Sequence, residues 1–120
     1  VYLCYGIHWM LNLVCDDEGI PSAVLIRGVE ILDGHTVVRR RRGRSDLLAA
    51  DGPGKVCAAL GIARDLHATQ LDAGGLRLLP PSQTRRRLQR GPRVGVAYAG
   101  AVWSAKTWRW WEDGFPAINV

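Results

Sequence analysis

Apolar residues dominate the first fifteen positions, and turn-forming residues then divide the chain into short segments. The stretches 1–5 and 8–15 predict β-strands, with Gly6 marking a bend between them. Asp, Gly and Pro at 16–22 predict a turn, and the β-branched stretch 23–32 predicts a buried strand. The N-terminal quarter of the chain is therefore expected to consist of strands.

The middle of the chain predicts short helices. Residues 37–50 favour helix on both sides of Gly43. Residues 51–66 predict a second helix, in which Asp51 suits the N-cap and Pro53 suits the first turn.

The last third of the chain is rich in loop-forming residues. We expect a short strand in 74–81, a basic loop in 82–92 and another strand in 93–100. Residues 106–120 predict two strands joined by a turn at Asp113. Together the segments predict an α+β fold, with a mostly antiparallel, curved sheet and a few short helices.

Composition narrows the class of protein. A chain of 120 residues forms one domain at most, here expected over 1–120. The net charge of +5 favours an anionic partner. No window approaches the roughly 18 apolar residues of a membrane span. Three cysteines without a CxxC pair, and histidines without ligand spacing, argue against a disulfide framework or a metal site and fit a reducing cytosol.

Polar side chains within apolar strands mark a candidate site. Tyr2, Tyr5, Asn12 and Arg27 all lie in segments that otherwise read as buried strand. Each has an ordinary structural explanation: a core tyrosine, an amide facing a turn, or an arginine in an ion pair. Taken together, they suggest a pocket for a flat polar ligand.

Two arginine-rich runs, 39–44 and 85–90, are a second candidate feature. Such runs are usually solvated faces, but with Trp and Tyr nearby they are typical of nucleic-acid surfaces. A membrane surface is the alternative anionic partner, although no amphipathic helix accompanies the runs. Lys55, at the expected start of a helix, is placed to hold a phosphate.

Five ordered blocks resemble a known family. They read VYLCYGIHWMLNLV, AVLIRGVEIL, GPGKVCAALGI, RVGVAYAG, and KTWRWW followed by GFPAINV. In order and spacing they are similar to the alkyladenine (3-methyladenine) DNA glycosylase family of the methylpurine type. The resemblance runs through nearly all of the chain and corresponds to the C-terminal two-thirds of the family domain.

The resemblance assigns roles to the polar strand residues. Tyr5 matches the tyrosine that wedges into the minor groove and fills the gap left by an extruded nucleotide. Tyr2 matches the residue that stacks on the flipped base. Asn12 matches the amide on the pocket floor that disfavours normal guanine, and Arg27 matches the arginine that helps to organise the catalytic water.

The resemblance also implies the partner and the reaction. Lys55 and Arg64 match positions that contact the DNA backbone. The implied enzyme is a monomeric base excision repair glycosylase that acts on double-stranded DNA, outside any membrane. It hydrolyses the N-glycosidic bond of alkylated or deaminated purines after base flipping, without metal or cofactor. The implied location is the cytoplasm, in association with the nucleoid, in a bacterium and the nucleus in a eukaryote.

The family's general base, a glutamate in an ETEAY-like segment, has no counterpart in this sequence. We therefore keep an alternative, a catalytically inactive, truncated DNA-binding remnant of the family, and more remotely a basic RNA-binding module. Because Val1 falls inside an expected strand, we expect the chain to be part of a longer protein and Leu3, Trp9 and Leu11 to be exposed.

Overall fold

The computed structural model describes residues 1–72, 75–81 and 87–115, and it confirms the α+β class. The strands are β1 Tyr2–Cys4, β2 His8–Met10, β3 Asn12–Cys15, β4 Ser22–Leu25, β5 Leu88–Gly91 and β6 Arg109–Glu112. The helices are α1 His35–Arg42, α2 Pro53–Leu60 and α3 Gly100–Ser104, with 3₁₀ turns at Leu47–Ala50, Arg64–Leu66 and Ala97–Ala99. No helix in these ranges is both long and apolar enough to cross a membrane.

The strands of the described ranges pair two by two: β1 with β2, β3 with β4, and β5 with β6, each antiparallel. The antiparallel character is as predicted, but the pairs form three small sheets instead of one curved sheet. The chain divides into two compact units, residues 1–78 and residues 79–120. The first contains β1 to β4, α1 and α2, and the second contains β5, β6 and α3.

Helix α2 supplies both clusters of buried side chains in the first unit. Val56 and Ala59 join the cluster that also contains Val38 and Ala50. Cys57, on another side of α2, packs with Leu11 and Ile62. The first unit is thus assembled around one short helix.

The predicted start of α2 is partly confirmed. Pro53 occupies the first turn, where its missing N–H costs nothing. The predicted N-cap is wrong: Gly52 takes that position, and Asp51 accepts a hydrogen bond from Lys55 Nζ at 2.7 Å. Gly61 ends the helix with a φ of 71°, a conformation that glycine adopts without strain.

Two predicted strands are shorter than expected. The stretch 8–15 is interrupted at Leu11, which is only 7% exposed because its side chain packs against Cys57 and Ile62. The expectation that Leu11 is exposed is therefore wrong. The stretch 23–32 is strand only to Leu25, because Val29 N then donates to Ala50 O at 3.1 Å and draws the backbone away from the hairpin.

The helical prediction for 37–50 is close to the structure. Helix α1 begins slightly earlier, at His35, and Gly43 ends it with a φ of 73°. After Gly43, the helix predicted to reach residue 50 is replaced by a single 3₁₀ turn. The N-cap of this turn, Asp46, accepts a hydrogen bond from Leu48 N at 3.2 Å.

The second unit departs most from the predictions. Residues 93–100 are not a strand, since Gly95 and Gly100 have φ values of 74° and 81° and α3 begins at Gly100. The expected basic loop contains β5, which pairs with β6 along its whole length. Residues 75–81 hold no strand, and the rest of that predicted strand lies outside the described residues.

The turn predicted at Asp113 is confirmed. Phe115 N donates to Glu112 O at 3.1 Å, and Gly114 has a φ of 82°. The partner strand predicted after this turn falls in 116–120, outside the described residues. In the described ranges β6 pairs instead with the preceding strand, β5.

Candidate nucleic-acid interface

Tyr5 lies at the tip of the β1–β2 hairpin. Cys4 pairs with His8, and Ile7 N closes the turn on Cys4 O at 3.1 Å. Tyr5 and Gly6 have φ values of 50° and 70°, the two positive angles that a type I′ turn requires. Tyr5 is 90% exposed. A bulky side chain in left-handed backbone is uncommon, and no burial of its ring offsets the strain.

Tyr2 lies on the same hairpin, three residues before the tip residue. It pairs with Met10 and is 48% exposed. Tyr2 is therefore only partly accessible, unlike Tyr5, which is almost wholly exposed.

Asn12 connects the two N-terminal hairpins. Its Nδ2 donates to Met10 O at 3.4 Å, and Met10 is the residue that pairs with Tyr2. On its own strand Asn12 pairs with Leu25. The amide predicted to need a partner therefore finds one two residues away, and it is brought next to the Tyr2 hairpin.

Arg27 follows directly on the β3–β4 pairing. Ile26 N donates to Leu11 O at 3.0 Å, so the backbone contact extends one residue past the Asn12–Leu25 pair. Arg27 is partly buried, and its Nε atom is fully buried. In the backbone register, Tyr2 pairs with Met10, two residues before Asn12, and Arg27 lies two residues after Leu25, the partner of Asn12. A pocket shared by Tyr2, Asn12 and Arg27 stays a prediction.

Helix α2 packs against the hairpin that carries Tyr5. A Cβ on Gly54 would lie 3.1 Å from His8 Cγ, so the first turn of the helix and β2 approach closely. Next to this contact, α2 and the hairpin enclose a shallow groove of about 110 Å³. The groove is lined by residues 7–9 and by Gly54, Cys57, Ala58 and Ile62. Burial raises the pKa of the Cys57 thiol, which keeps it protonated and unreactive.

Lys55 and Arg64, the two predicted backbone contacts, lie at opposite ends of α2. Lys55 is in the first turn and forms an exposed ion pair with Asp51 at 2.7 Å. Arg64 is exposed in the 3₁₀ turn that follows the helix. Eight residues separate them: 56–60 complete α2, and 61–63 connect the helix to the 3₁₀ turn. Their predicted role as contacts to the DNA backbone stays a prediction.

The arginine run 39–44 is largely occupied by contacts within the first unit. Arg41 Nη1 donates to Ala59 O and Arg42 Nε to Ala49 O, both at 3.0 Å. Arg44 Nε donates to Asp46 Oδ1 at 2.7 Å, and Arg39 Nη2 reaches Ser45 Oγ at 3.3 Å. These arginines bind backbone and side chains of their own unit, which a purely solvated run would not do.

The second unit carries an arrangement that the sequence reasoning missed. Arg90 lies over the ring of Trp110 at 5.8 Å, Arg93 over Trp108 at 5.1 Å, and Lys106 over Trp103 at 5.9 Å. The alternation of KTWRWW is a sequence signal for this arrangement, but Arg90 lies opposite Trp110 only because residues 88–91 form strand β5, where the sequence predicts a loop.

Comparison with known proteins identifies the family. The methylpurine-DNA glycosylase (MPG) family matches residues 1–116. The chain belongs to this family. The resemblance predicted from the five sequence blocks is confirmed.

Curated relatives carry consistent names. The chain is 40% identical over 120 residues to a Nitrosospira multiformis protein and 35% identical over 121 residues to one from Methanocella arvoryzae, both named among the 3-methyladenine DNA glycosylases. It is 42% identical over 123 residues to an Arabidopsis thaliana DNA-3-methyladenine glycosylase. These matches cover 99%, 99% and 100% of this chain, which spans 60%, 60% and 48% of the respective relatives.

Proposed function

We propose that this chain provides the base pocket and the DNA wedge of a base excision repair glycosylase. The enzyme hydrolyses the N-glycosidic bond of alkylated or deaminated purines, of the 3-methyladenine type, in double-stranded DNA after base flipping. Family membership supports the class of reaction. The observation that carries the proposal is the exposed, left-handed Tyr5 at a hairpin tip.

Tyr5 is suited to act as the wedge. An enzyme that acts on a base must remove the base from the helical stack, which leaves a gap in the duplex. An inserted side chain offsets part of the lost stacking. The tight turn holds the Tyr5 ring 90% exposed, so its insertion into DNA needs no prior unpacking of the protein.

Tyr2 and Asn12 are suited to hold the flipped base. Tyr2 is partly exposed and therefore accessible to a ligand, and an alkylated purine with positive charge gains from stacking on an electron-rich ring. The side-chain amide of Asn12 donates one N–H to Met10 O. Its second N–H and its carbonyl oxygen can therefore bind the edge of a base. An amide donor facing the exocyclic amino group of guanine, also a donor, disfavours guanine.

Arg27 is suited to organise the attacking water next to this pocket, because its permanent positive charge stabilises a developing hydroxide. In the proposed reaction, a glutamate in an ETEAY-like segment acts as the general base. This sequence does not contain that segment. We therefore expect the 120-residue chain by itself to bind DNA without measurable release of 3-methyladenine.

The second candidate function, a catalytically inactive DNA-binding remnant, is favoured by the placement of Glu18. This carboxylate is exposed in the turn that joins β3 to β4. The turn lies at the Cys15–Ser22 end of that hairpin, whereas Asn12 and Leu25 form the opposite end. Three residue steps of about 3.3 Å separate the two ends, so the turn that carries Glu18 begins roughly 10 Å along the hairpin from Asn12, beyond the direct reach of a general base.

Binding to a duplex with an abasic-site analogue tests the proposal. Tyr5→Ala should lose about 1–3 kcal/mol of binding free energy, the usual value of a stacking contact. Tyr98→Ala is the matched control, since Tyr98 is 87% exposed but lies in the second unit. Equal affinity of the parent and Tyr5→Ala for this duplex would remove the wedge, and with it the proposed function of this hairpin.

A further inference from the structure

The net charge of the chain is confined to the second unit. Residues 1–78 contain nine basic and nine acidic residues, whereas residues 79–120 contain seven basic and two acidic residues. The formal charge of +5 therefore arises entirely in the smaller unit. Such a concentration of charge in 42 residues favours an anionic partner for that unit.

The same unit exposes three large indole rings. Trp103, Trp108 and Trp110 are 54%, 55% and 58% exposed. Trp103 and Trp108 lie with their ring centroids 5.9 Å apart and their planes tilted by 51°. Tryptophan is highly buried on average, so three half-exposed rings in one small unit form an unusual apolar surface that is open to an interaction partner.

Each of these rings has a cation beside it. Arg90 and Trp110 are directly opposite on β5 and β6, and Arg93 and Lys106 accompany Trp108 and Trp103. Arg93 is further fixed by a hydrogen bond of 3.0 Å from its Nη2 to Trp103 O. The positive charges are thus held at the rings, and in the described residues none of the three cations forms an ion pair with a carboxylate.

Positive charges interleaved with exposed aromatic rings match single-stranded nucleic acid. Unpaired bases stack on aromatic side chains while the phosphates meet the cations. In an intact duplex the base faces are already stacked on one another, so the indole rings would find only sugars and phosphates.

We propose that Trp103, Trp108 and Trp110, with Arg90, Arg93 and Lys106, form a binding surface for single-stranded DNA. This surface lies in residues 79–120 and is separate from the Tyr5 hairpin, which belongs to residues 1–78. Only the choice of DNA over RNA rests on the proposed function. The stacking surface itself rests on the rings, their cations and the charge distribution.

Fluorescence anisotropy with a labelled 15-nucleotide oligothymidylate tests the surface on the 120-residue chain. Trp103→Leu and Trp110→Leu remove a ring and keep an apolar side chain, and each should weaken binding about 5- to 100-fold. Tyr98→Leu, which removes an exposed aromatic ring that has no cation over it in the described part of the chain, should leave the affinity within twofold. Trp110→Phe, which keeps an aromatic face, should recover most of the affinity, so that loss through misfolding is distinguished from loss of stacking.

Salt dependence tests the cations. Arg90→Ser should lower the slope of log K against log salt by about 0.7 for each phosphate contact removed. Arg77→Ser, which removes the same charge from the neutral first unit outside both arginine-rich runs, should leave the slope unchanged.

Unchanged oligothymidylate binding in both Trp→Leu variants would overturn the proposal, as would tighter binding to an undamaged 15-base-pair duplex. Tighter binding to oligouridylate of the same length would overturn the assignment to DNA. Tyr5→Ala separates this proposal from the glycosylase function. It should weaken binding to the abasic duplex and leave binding to oligothymidylate unchanged.

Discussion

The guanidinium group of Arg41 lies directly over Gly61. A Cβ at Gly61 would fall 2.7 Å from Arg41 Cζ, and Arg41 Nη1 donates to the carbonyl oxygen of Ala59 at 3.0 Å. An arginine from the end of α1 therefore satisfies a carbonyl at the end of α2, where a helix leaves its last carbonyls without intrahelical partners. The absence of a side chain at Gly61 makes this approach possible.

The first prediction concerns this contact. Arg41→Ala should lower the free energy of unfolding by about 1–2 kcal/mol, because it removes a charge-assisted hydrogen bond to a backbone carbonyl. Arg40→Ala is the control, since Arg40 makes no hydrogen bond or ion pair with the described residues, and it should change stability by less than about 0.5 kcal/mol. Urea denaturation of both variants measures the difference. Equal stabilities would mean that the run acts only as solvated charge.

The second prediction concerns strain at the hairpin tip. Tyr5→Asn creates an Asn-Gly pair, the preferred sequence for a type I′ turn, and asparagine tolerates positive φ. It should raise the free energy of unfolding by about 0.5–1 kcal/mol while weakening binding to the abasic duplex. Tyr98→Asn, at an exposed position without positive φ, should show neither effect. A loss of stability in Tyr5→Asn would contradict the assignment of strain to Tyr5.

The third prediction concerns pH. The hydrogen bond from Arg44 holds the pKa of the Asp46 carboxyl below its usual value. A lowered pKa in the folded state contributes stability above the usual aspartate pKa of about 3.9, and this stability is lost as the pH falls through and below that value. Arg44→Ser should therefore raise the Asp46 pKa, measured by carbon NMR of the carboxyl group. It should be less stable than the parent at pH 7, and the two should converge in acid. A difference that persists below pH 2 would point to packing instead.

The fourth prediction concerns two of the three thiols, those of Cys15 and Cys57. Cys15 is exposed, whereas Cys57 is buried and its pKa is raised by that burial. An aromatic disulfide reagent at pH 8 should react with Cys15 rapidly and with Cys57 only after denaturation. Cys15→Ser should remove the fast phase of the reaction. Fast labelling of Cys57 in the native chain would show that α2 opens from the Leu11 cluster.

Local signals in the sequence located the helices well. Pro53 and Gly61 bracket α2, and Gly43 ends α1, because proline and glycine restrict or release the backbone wherever they stand. Proline and glycine act through their own dihedral angles, so these helix ends can be predicted without knowledge of distant contacts.

Contacts between distant residues escaped the sequence reasoning. The end of β4 at Leu25 depends on the hydrogen bond between Val29 and Ala50, and β5 depends on pairing with β6, some twenty residues away. The arginine run resembled a solvated face because the carbonyl acceptors for Arg41 and Arg42 come from other elements. For the candidate site, the sequence singles out Tyr2 and Asn12 as polar residues in apolar strands. That Met10 connects them, by pairing with Tyr2 and accepting from Asn12, follows only from the structure.

The uneven division of charge has a consequence for how the proposed enzyme would search a genome. Time spent on undamaged DNA is governed by phosphate contacts, and these weaken steeply with ionic strength. The residues proposed to discriminate a lesion, Tyr5, Tyr2 and Asn12, belong to the unit without net charge. Raising the salt concentration should therefore shorten each scanning encounter while leaving the preference for a damaged site over an undamaged one nearly constant. Mobility along DNA and fidelity at the lesion can then evolve independently, one through the basic residues of 79–120 and the other through the hairpins of 1–78.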